Sequence, residues 1–465
     1  MRRHPFRLPV LAIALCLAGA GCALTPPPER SAYDNTWFNG KGLPSGWSSA
    51  PTEAYADWIG LTPDAQLAAL IREGLEQSQT LQGMALQVQA AGEMITVAGG
   101  SGLPQIGLSG STQYNLRDSL NVFTGGFFGI SWEIDVWGRI RYDIRTSEER
   151  YASLADDYQF SRLSLAANIG KAWFSVIEAD AQLKYLLDSR DSTATLLVLT
   201  DKRVTVGAGN PYEAATLRRT LAELDRQVET ARLAVRQNRL VLETLVGRPP
   251  QGIIEVGAQL PDVAPAIPGG LPSELLERRP DVRAAERRAR AAFNVARSAE
   301  AARLPRFTLT FGLNSISSDI YVLKNLNNPT VAAGAGINAP LYTGGALAAN
   351  VRAKNAEQEA ARAFYMEKAQ QVMSEVEQKL SANISLIDQM RAQRAQLDAA
   401  RKALDIRKVQ RDVGQVDDRA VLNEQITVLA QESALIKLHN RQIAERIDLQ
   451  LALGGPLAMQ PPPGN

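Results

Sequence analysis

Side chains able to do covalent or metal chemistry are scarce in this chain. Its only histidines are His4 and His439, and its only cysteines are Cys16 and Cys22. His439 stands between Lys437 and Arg441 on a helical stretch, which reads as a solvated face rather than a base. No Cys–His or Cys–Cys spacing suits a metal, and no Gly-rich loop ending in Lys-Ser/Thr could cradle a phosphate. The sequence predicts no enzyme, no cofactor and no metal. A formal net charge of +1 over 465 residues argues against a nucleic-acid partner.

One cysteine does suggest chemistry. Arg2, Arg3 and Arg7 precede an apolar stretch from Leu8 to Ala18, and residues 1–21 read as a secretory signal. The small residues Gly19-Ala20-Gly21 before Cys22 resemble the lipobox of bacterial lipoproteins, where the cysteine is acylated and becomes the mature N-terminus. The alternative is plain cleavage near Ala20 with a free Cys22. Ala23 is not Asp, which agrees with onward sorting to the outer membrane. Cys16 leaves with the signal, so the mature chain can form no internal disulfide.

The elements that would carry a function are duplicated. Gly138, Gly207 and Gly247 are 69 and 40 residues apart, and so are Gly345, Gly414 and Gly454, at a constant offset of 207. Leu-Pro at 103–104 and again at 304–305 opens each unit. The expected organisation is an extended N-terminal segment 22–60, a first repeat 61–247, a Pro- and Gly-rich linker 248–272, a second repeat 273–455, and a tail 456–465. Each repeat holds a β-hairpin, at 104–137 and 305–344.

Within each hairpin, apolar residues alternate with small polar ones. Ile106, Leu108 and Gly110 alternate with Gln105, Gly107 and Ser109; Ile130, Trp132, Ile134 and Val136 alternate with Ser131, Glu133 and Asp135. Phe307, Leu309, Phe311 and Leu313 repeat the pattern, and a last strand runs from Val331 to Leu341. Each stretch is near the ~9–11 residues with which a tilted strand crosses a bilayer. One apolar and one polar face is the lipid-out, lumen-in signature of a membrane barrel, although a soluble sheet under helices has the same period. Four strands cannot close a barrel, and an open edge cannot sit in hydrocarbon. If the strands span a membrane, several copies must share one barrel; a trimer gives twelve strands, four from each chain.

Beyond Gly138 and Gly345 the pattern turns helical for tens of residues. Leu165, Ile169, Ala172, Val176, Ala179, Leu183 and Leu186 form a coiled-coil seam. The second copy has Asn383 and Arg394 on its seam, which suggests a face meeting water or charge. Residues 187–201 are weakly periodic and are a candidate interruption. Thr62-Pro63-Asp64 starts a shorter helix running through Leu67 and Leu81 to Ala98, and Pro280-Asp281 starts its counterpart. Further helices are expected over 212–246 and 417–452. At the strand–helix junctions, Gly138, Gly344 and Gly345 relieve crowding and Trp137 suits a membrane–water interface.

Together these motifs resemble the TolC-like outer-membrane factors, closest to the OprM/NodT-type lipoprotein channels of tripartite efflux systems. The residues that carry the resemblance are Gly21-Cys22 followed by Pro26-Pro27-Pro28, SWEIDVWGRIR at 131–141, LPSELLERRPDVRAAE at 271–286, PLYTGG at 340–345 and LALGGP at 451–456. It implies a homotrimer whose twelve-stranded outer-membrane β-barrel continues into a long periplasmic α-helical coiled-coil barrel, lipid-anchored and passive. Its partners would be a periplasmic adaptor (membrane fusion protein), an inner-membrane pump, proton-coupled in the favoured reading, and outer-membrane lipid. Cargo would be drugs and other toxic small molecules, which links the chain to antibiotic resistance; the alternative is polypeptide export. The hairpin tips Val206-Gly207 and Val413-Gly414 would meet the adaptor. Asp417, Asp418 and Arg419 would form a periplasmic gate, against the simpler reading that an aspartate there caps the last helix.

Overall fold

A computed structural model of the chain describes residues 65–114, 122–257, 259–263, 278–318 and 330–454. The expected signal, Cys22, the 22–60 segment, the Thr62-Pro63-Asp64 helix start, linker residues 258 and 264–272 and the tail 456–465 lie outside the described residues. The elements in order are α1 (Ala65–Gln77), α2 (Gln79–Gly100), β1 (Gln105–Tyr114), β2 (Val122–Ile134), α3 (Arg139–Thr205), α4 (Pro211–Val246), α5 (Pro280–Ala301), β3 (Arg306–Ser318), β4 (Thr330–Asn338), α6 (Ala346–Asp412) and α7 (Asp418–Ala452). No described helix is long and apolar enough to cross a membrane.

The duplication is legible residue by residue. Helices α3 and α6 are each 67 residues long and start 207 residues apart. Helices α2 and α5 are each 22 residues long and start 201 apart. The change of offset falls inside the hairpins, the second being six residues longer between its opening Leu-Pro and its closing glycine. All six repeat glycines have left-handed backbones, with matched φ of 79° and 83° at Gly138 and Gly345, 74° at both Gly207 and Gly414, and 90° and 94° at Gly247 and Gly454. A side chain there would strain the backbone, which is why glycine marks these points in both copies.

Several expectations need correction. Residues 187–201 do not interrupt α3, which runs unbroken to Thr205; Leu196 is buried and Ser192 and Thr195 return their hydroxyls to carbonyls one turn back, so the polar residues fit the helix. The helix expected over 62–98 is two, divided at Ser78, whose hydroxyl accepts from the Leu81 amide. The final strand stops at Asn338 rather than Leu341, and Val136 lies beyond β2 in a turn closed by its amide on Ile134 O.

The described residues divide into two compact units: those within 85–157 and 281–368 form one, and those within 65–84, 158–280 and 369–454 the other. In the first, α5 lies on the start of α3 through Arg283–Asp156 (2.6 Å), Arg287–Glu149 (3.2 Å) and Arg288–Asp157. In the second, Leu67, Leu70, Ile169, Trp173, Val176, Leu242, Ile443 and Ile447 form the core. Gly74 lets α1 approach, since a Cβ there would stand 2.5 Å from Ile169 Cδ1. Asn383 is buried and donates to Lys379 O and Glu445 O, so the seam position expected to meet water is a satisfied core amide. Arg394 is exposed.

Candidate functional site

In the first unit, β1-β2-β3-β4 form one antiparallel sheet. Its register puts like residues opposite like. Ile106, Ile130, Phe311 and Ala333 stand on one cross-strand line, Leu108, Phe128, Leu313 and Val331 on another, and Trp132, Leu309 and Ala335 on a third. On the opposite face Gln105, Ser131, Thr310 and Gly334 share a line, as do Glu133, Thr308 and Gly336. A slip of one residue would mix the faces, so the pairing is fixed wherever the two faces meet different solvents. Among the described residues nothing covers the apolar face: Phe128, Trp132, Ile134, Leu309, Phe311 and Leu313 are all exposed.

Glu133 and Asp135 are not free charges on the polar face. Glu133 pairs with Arg139 at 2.9 Å. Asp135 lies past the strand end and accepts from the Ile140 and Arg141 amides at 3.1 and 3.0 Å and from Arg141 Nε. It fixes the N-terminus of α3, where two orphan amides and the helix dipole favour a carboxylate. Trp137 donates Nε1 to Pro305 O at 2.7 Å, and Trp132 to Gly102 O at 2.8 Å. Trp137 is thus tied to the corner before β3, and with Gly138 it lies between the end of β2 and the start of α3. Gly344 and Gly345 occupy the matching junction before α6, both left-handed and in open space.

In the second unit the hairpin tips end alike. Ala208 and Gly207 donate to Arg203 O and Val204 O, and Gln415 and Gly414 donate to Gln410 O and Arg411 O. These paired bonds close the helix ends around a left-handed glycine. Val206 and Val413 are exposed at the two tips. Gly209, which sequence reading passed over, also cannot be replaced freely: a Cβ would come within 2.6 Å of Val204 N.

Asp417 does two things. It is the N-cap of α7, accepting from the Ala420 amide, and it pairs with Arg419 (2.9 Å) and with Arg203 (2.8 Å) of the other hairpin. Arg419 reaches Glu213 at 3.2 Å, so Arg203–Asp417–Arg419–Glu213 is a chain of charges tying one tip to the other. Burial pushes the Asp417 carboxyl up, but Arg419, the Ala420 amide and Arg203 outweigh it and hold its pKa below the ordinary value. Asp418 stands apart, 3.7 Å from Arg411. Arg203 and Glu213 were missed because their partners are 214 and 206 residues away, although both lie within six residues of a repeat glycine.

His439 corrects another expectation. It is half-buried with Nε2 3.0 Å from Pro261 O, against the linker rather than on a solvated face. Burial lowers its pKa, and the Pro261 carbonyl only partly offsets this. At the start of the linker, Glu243 is buried with its carboxylate accepting four amides, from Gln251 to Ile254, at 2.6 to 3.0 Å. Burial raises its pKa and the four amides more than reverse that. The linker's first turn is therefore pinned to α4 by one carboxylate. Among the described residues no His, Cys, Asp and Glu cluster could hold a metal.

The profile of the outer membrane efflux protein family matches residues 70–248 and 271–455, once for each repeat. The chain is 26% identical over 461 residues to the pyoverdine export outer membrane protein OpmQ of Pseudomonas aeruginosa, covering 95% of this chain and 96% of that one. It is 27% identical over 466 residues to the toluene efflux pump outer membrane protein TtgF of Pseudomonas putida, with 96% of each covered. A crystal structure of CusC, described as revealing transmembrane channel formation, superposes with a TM-score of 0.78 at 23% identity, over 93% of this chain and 100% of that one. The expected fold is thus found, with two-faced strands, paired long helices and two repeats. The chain belongs to the outer membrane efflux protein family, channel proteins rather than enzymes, and is an outer-membrane component of an efflux system extending into the periplasm.

Proposed function

We propose that three copies share one twelve-stranded barrel and form a passive exit duct for toxic small molecules. An inner-membrane transporter, proton-coupled, and a periplasmic adaptor deliver the cargo; the chain itself performs no catalytic step. The observation that carries this reading is the sheet, whose apolar lines have no partner, and whose two edge strands have no further neighbour, among the described residues. Hydrocarbon tolerates such a face and forbids such edges, so closure by further copies follows. Relatives named for pyoverdine export and for toluene efflux have unlike cargoes, which supports a weakly selective duct.

At the tips, the chain from Arg203 to Glu213 supports a latch between hairpins, with Val206, Gly207, Val413 and Gly414 as the adaptor contact. Asp417 and Arg419 belong to the latch; Asp418 is peripheral to it. Cys22 supplies an acyl anchor. Replacing it by Ser should abolish palmitate labelling while sparing assembly, and continued labelling would refute the assignment.

The testing experiment is accumulation of a fluorescent dye in cells lacking the gene, then with it restored. Higher accumulation in the deletion, reversed on restoration, is expected. Unchanged dye together with a changed set of secreted proteins would overturn the small-molecule reading in favour of polypeptide export.

A further inference from the structure

The two repeats correspond closely enough to give the contact between copies in residue detail. In the first hairpin Gln105 pairs with Ser131 and Ile106 with Ile130; in the second Arg306 pairs with Asn338 and Phe307 with Ile337. Adding 201 to the β1 positions and 207 to the β2 positions turns the first set into the second. The offsets therefore hold at single-residue resolution at this rim of the sheet. Among the described residues one further pairing exists, β2 with β3, where Ile134 stands opposite Phe307 and Trp132 opposite Leu309. Shifted by the same offsets, Ile134 becomes Leu341 and Phe307 becomes Ile106, while Trp132 becomes Ala339 and Leu309 becomes Leu108.

Leu341 and Ile106 lie on opposite edges of one sheet and cannot pair within a chain. Alternation of strand direction, however, brings the Asn338 end of β4 beside the Gln105 end of β1 in a second copy. Exposure agrees. Leu341 is 95% exposed and Leu108 82%, whereas their inner counterparts Ile134 and Leu309 are 36% and 40% exposed; Ile106 is 68% exposed and its counterpart Phe307 is only half-buried. The edge residues lack the neighbour that the inner ones have.

We propose that the seam between copies repeats the inner β2–β3 register, with Leu341 opposite Ile106 and Ala339 opposite Leu108 of the next copy. The seam extends past Asn338 because the segment before α6 takes the place that Glu133 and Ile134 fill in the first repeat. This rests on the shared-barrel reading and adds its register. Opposed side chains in an antiparallel pair have Cβ atoms roughly 4.5–5.5 Å apart, so a shift of about 1 Å brings them to the roughly 3.5–4.5 Å of a disulfide, whereas diagonal pairs start at roughly 7–8 Å.

The test is oxidative crosslinking in the full chain, in isolated outer membranes. Two on-register pairs, Leu341→Cys with Ile106→Cys and Ala339→Cys with Leu108→Cys, should each give a dimer and trimer ladder on non-reducing gels. The slipped pair Leu341→Cys with Leu108→Cys should crosslink at least several-fold more slowly, and single variants should give no ladder. Oligomers that persist without crosslinks in either on-register pair, or a slipped pair that crosslinks as fast, would overturn the register and leave the shared barrel standing. Finding only monomer in the unaltered protein would overturn the shared barrel and this seam with it. The two pairs are independent, so misfolding of one leaves the other decisive.

Discussion

The two strand–helix junctions occupy equivalent places in the repeat and are built from different chemistry. Before α3, Asp135 holds the Ile140 and Arg141 amides, Arg139 holds Glu133, and Trp137 reaches Pro305 O. Before α6, the residue equivalent to Asp135 is Tyr342, that equivalent to Glu133 is Pro340, and that equivalent to Trp137 is Gly344. The first junction is ionic and complete within one chain. The second is uncharged, with Leu341 and Tyr342 at 95% and 89% exposure. A joint that forms inside one chain can use short ion pairs from the start. A joint that waits for another copy is safer without a buried charge to leave unpaired. On the proposed seam, the repeat has diverged where its two copies meet different neighbours.

The comparison breaks most directly in the sheet. Leu309→Arg places a charge in the middle of the inner apolar lines and should cost about 2–4 kcal/mol of membrane stability near the bilayer midplane. Outer-membrane yield and urea unfolding in lipid check this, and normal assembly would mean that this face does not meet lipid. Ile134→Arg, closer to the rim, should cost less.

Asp135→Ala sharpens the contrast between junctions. It removes the carboxylate from two helix amides, a change worth about 1 kcal/mol, in the range ~0.5–2. Tyr342→Ala at the equivalent place should leave chain unfolding unchanged and lower only the temperature at which oligomers dissociate. Equal effects of the two on unfolding would erase the distinction. Trp137→Phe should follow at about 1 kcal/mol, the worth of its hydrogen bond to Pro305 O.

What was legible in the sequence follows from the range of the forces involved. Glycines at left-handed positions and period-two strands are local constraints, so Gly138, Gly207 and Gly345 could be placed from spacing alone. The trace of α3 through 187–201 could not, because its polar residues satisfy themselves along the helix and leave no apolar signal. Glu133 and Asp135 were visible as carboxylates beside a strand end, but their roles depend on Arg139 and Arg141 folding back. Arg203 and Glu213 were invisible as partners of the second tip, since nothing local to either residue names a charge more than two hundred positions away. His439 was misplaced for the same reason: the Pro261 carbonyl that covers it belongs to the linker.

The tips repeat the lesson of the junctions on a smaller energy scale. Asn210 caps α4 by accepting from the Tyr212 amide, and Asp417 caps α7 from the equivalent tip. Of the two caps, only the aspartate adds charge and pairs with an arginine of the other hairpin. Asp417→Asn separates the two roles, because asparagine caps about as well as aspartate and cannot hold the arginines as an ion pair. Asp417→Asn should therefore raise closed-state conductance with little loss of helix stability, since exposed pairs of this kind contribute about 0–1 kcal/mol. If Asp417→Asn behaves as the unaltered protein while Asp417→Ala does not, the residue is a cap and no latch. Acid should act in the same direction. The Asp417 pKa is depressed from 3.8, so its contribution is fully present above that value and is lost as pH falls through the lower folded-state value. Conductance of the closed channel should be flat from pH 8 to about 5 and rise only below about 4, and Asp417→Asn should show no such rise.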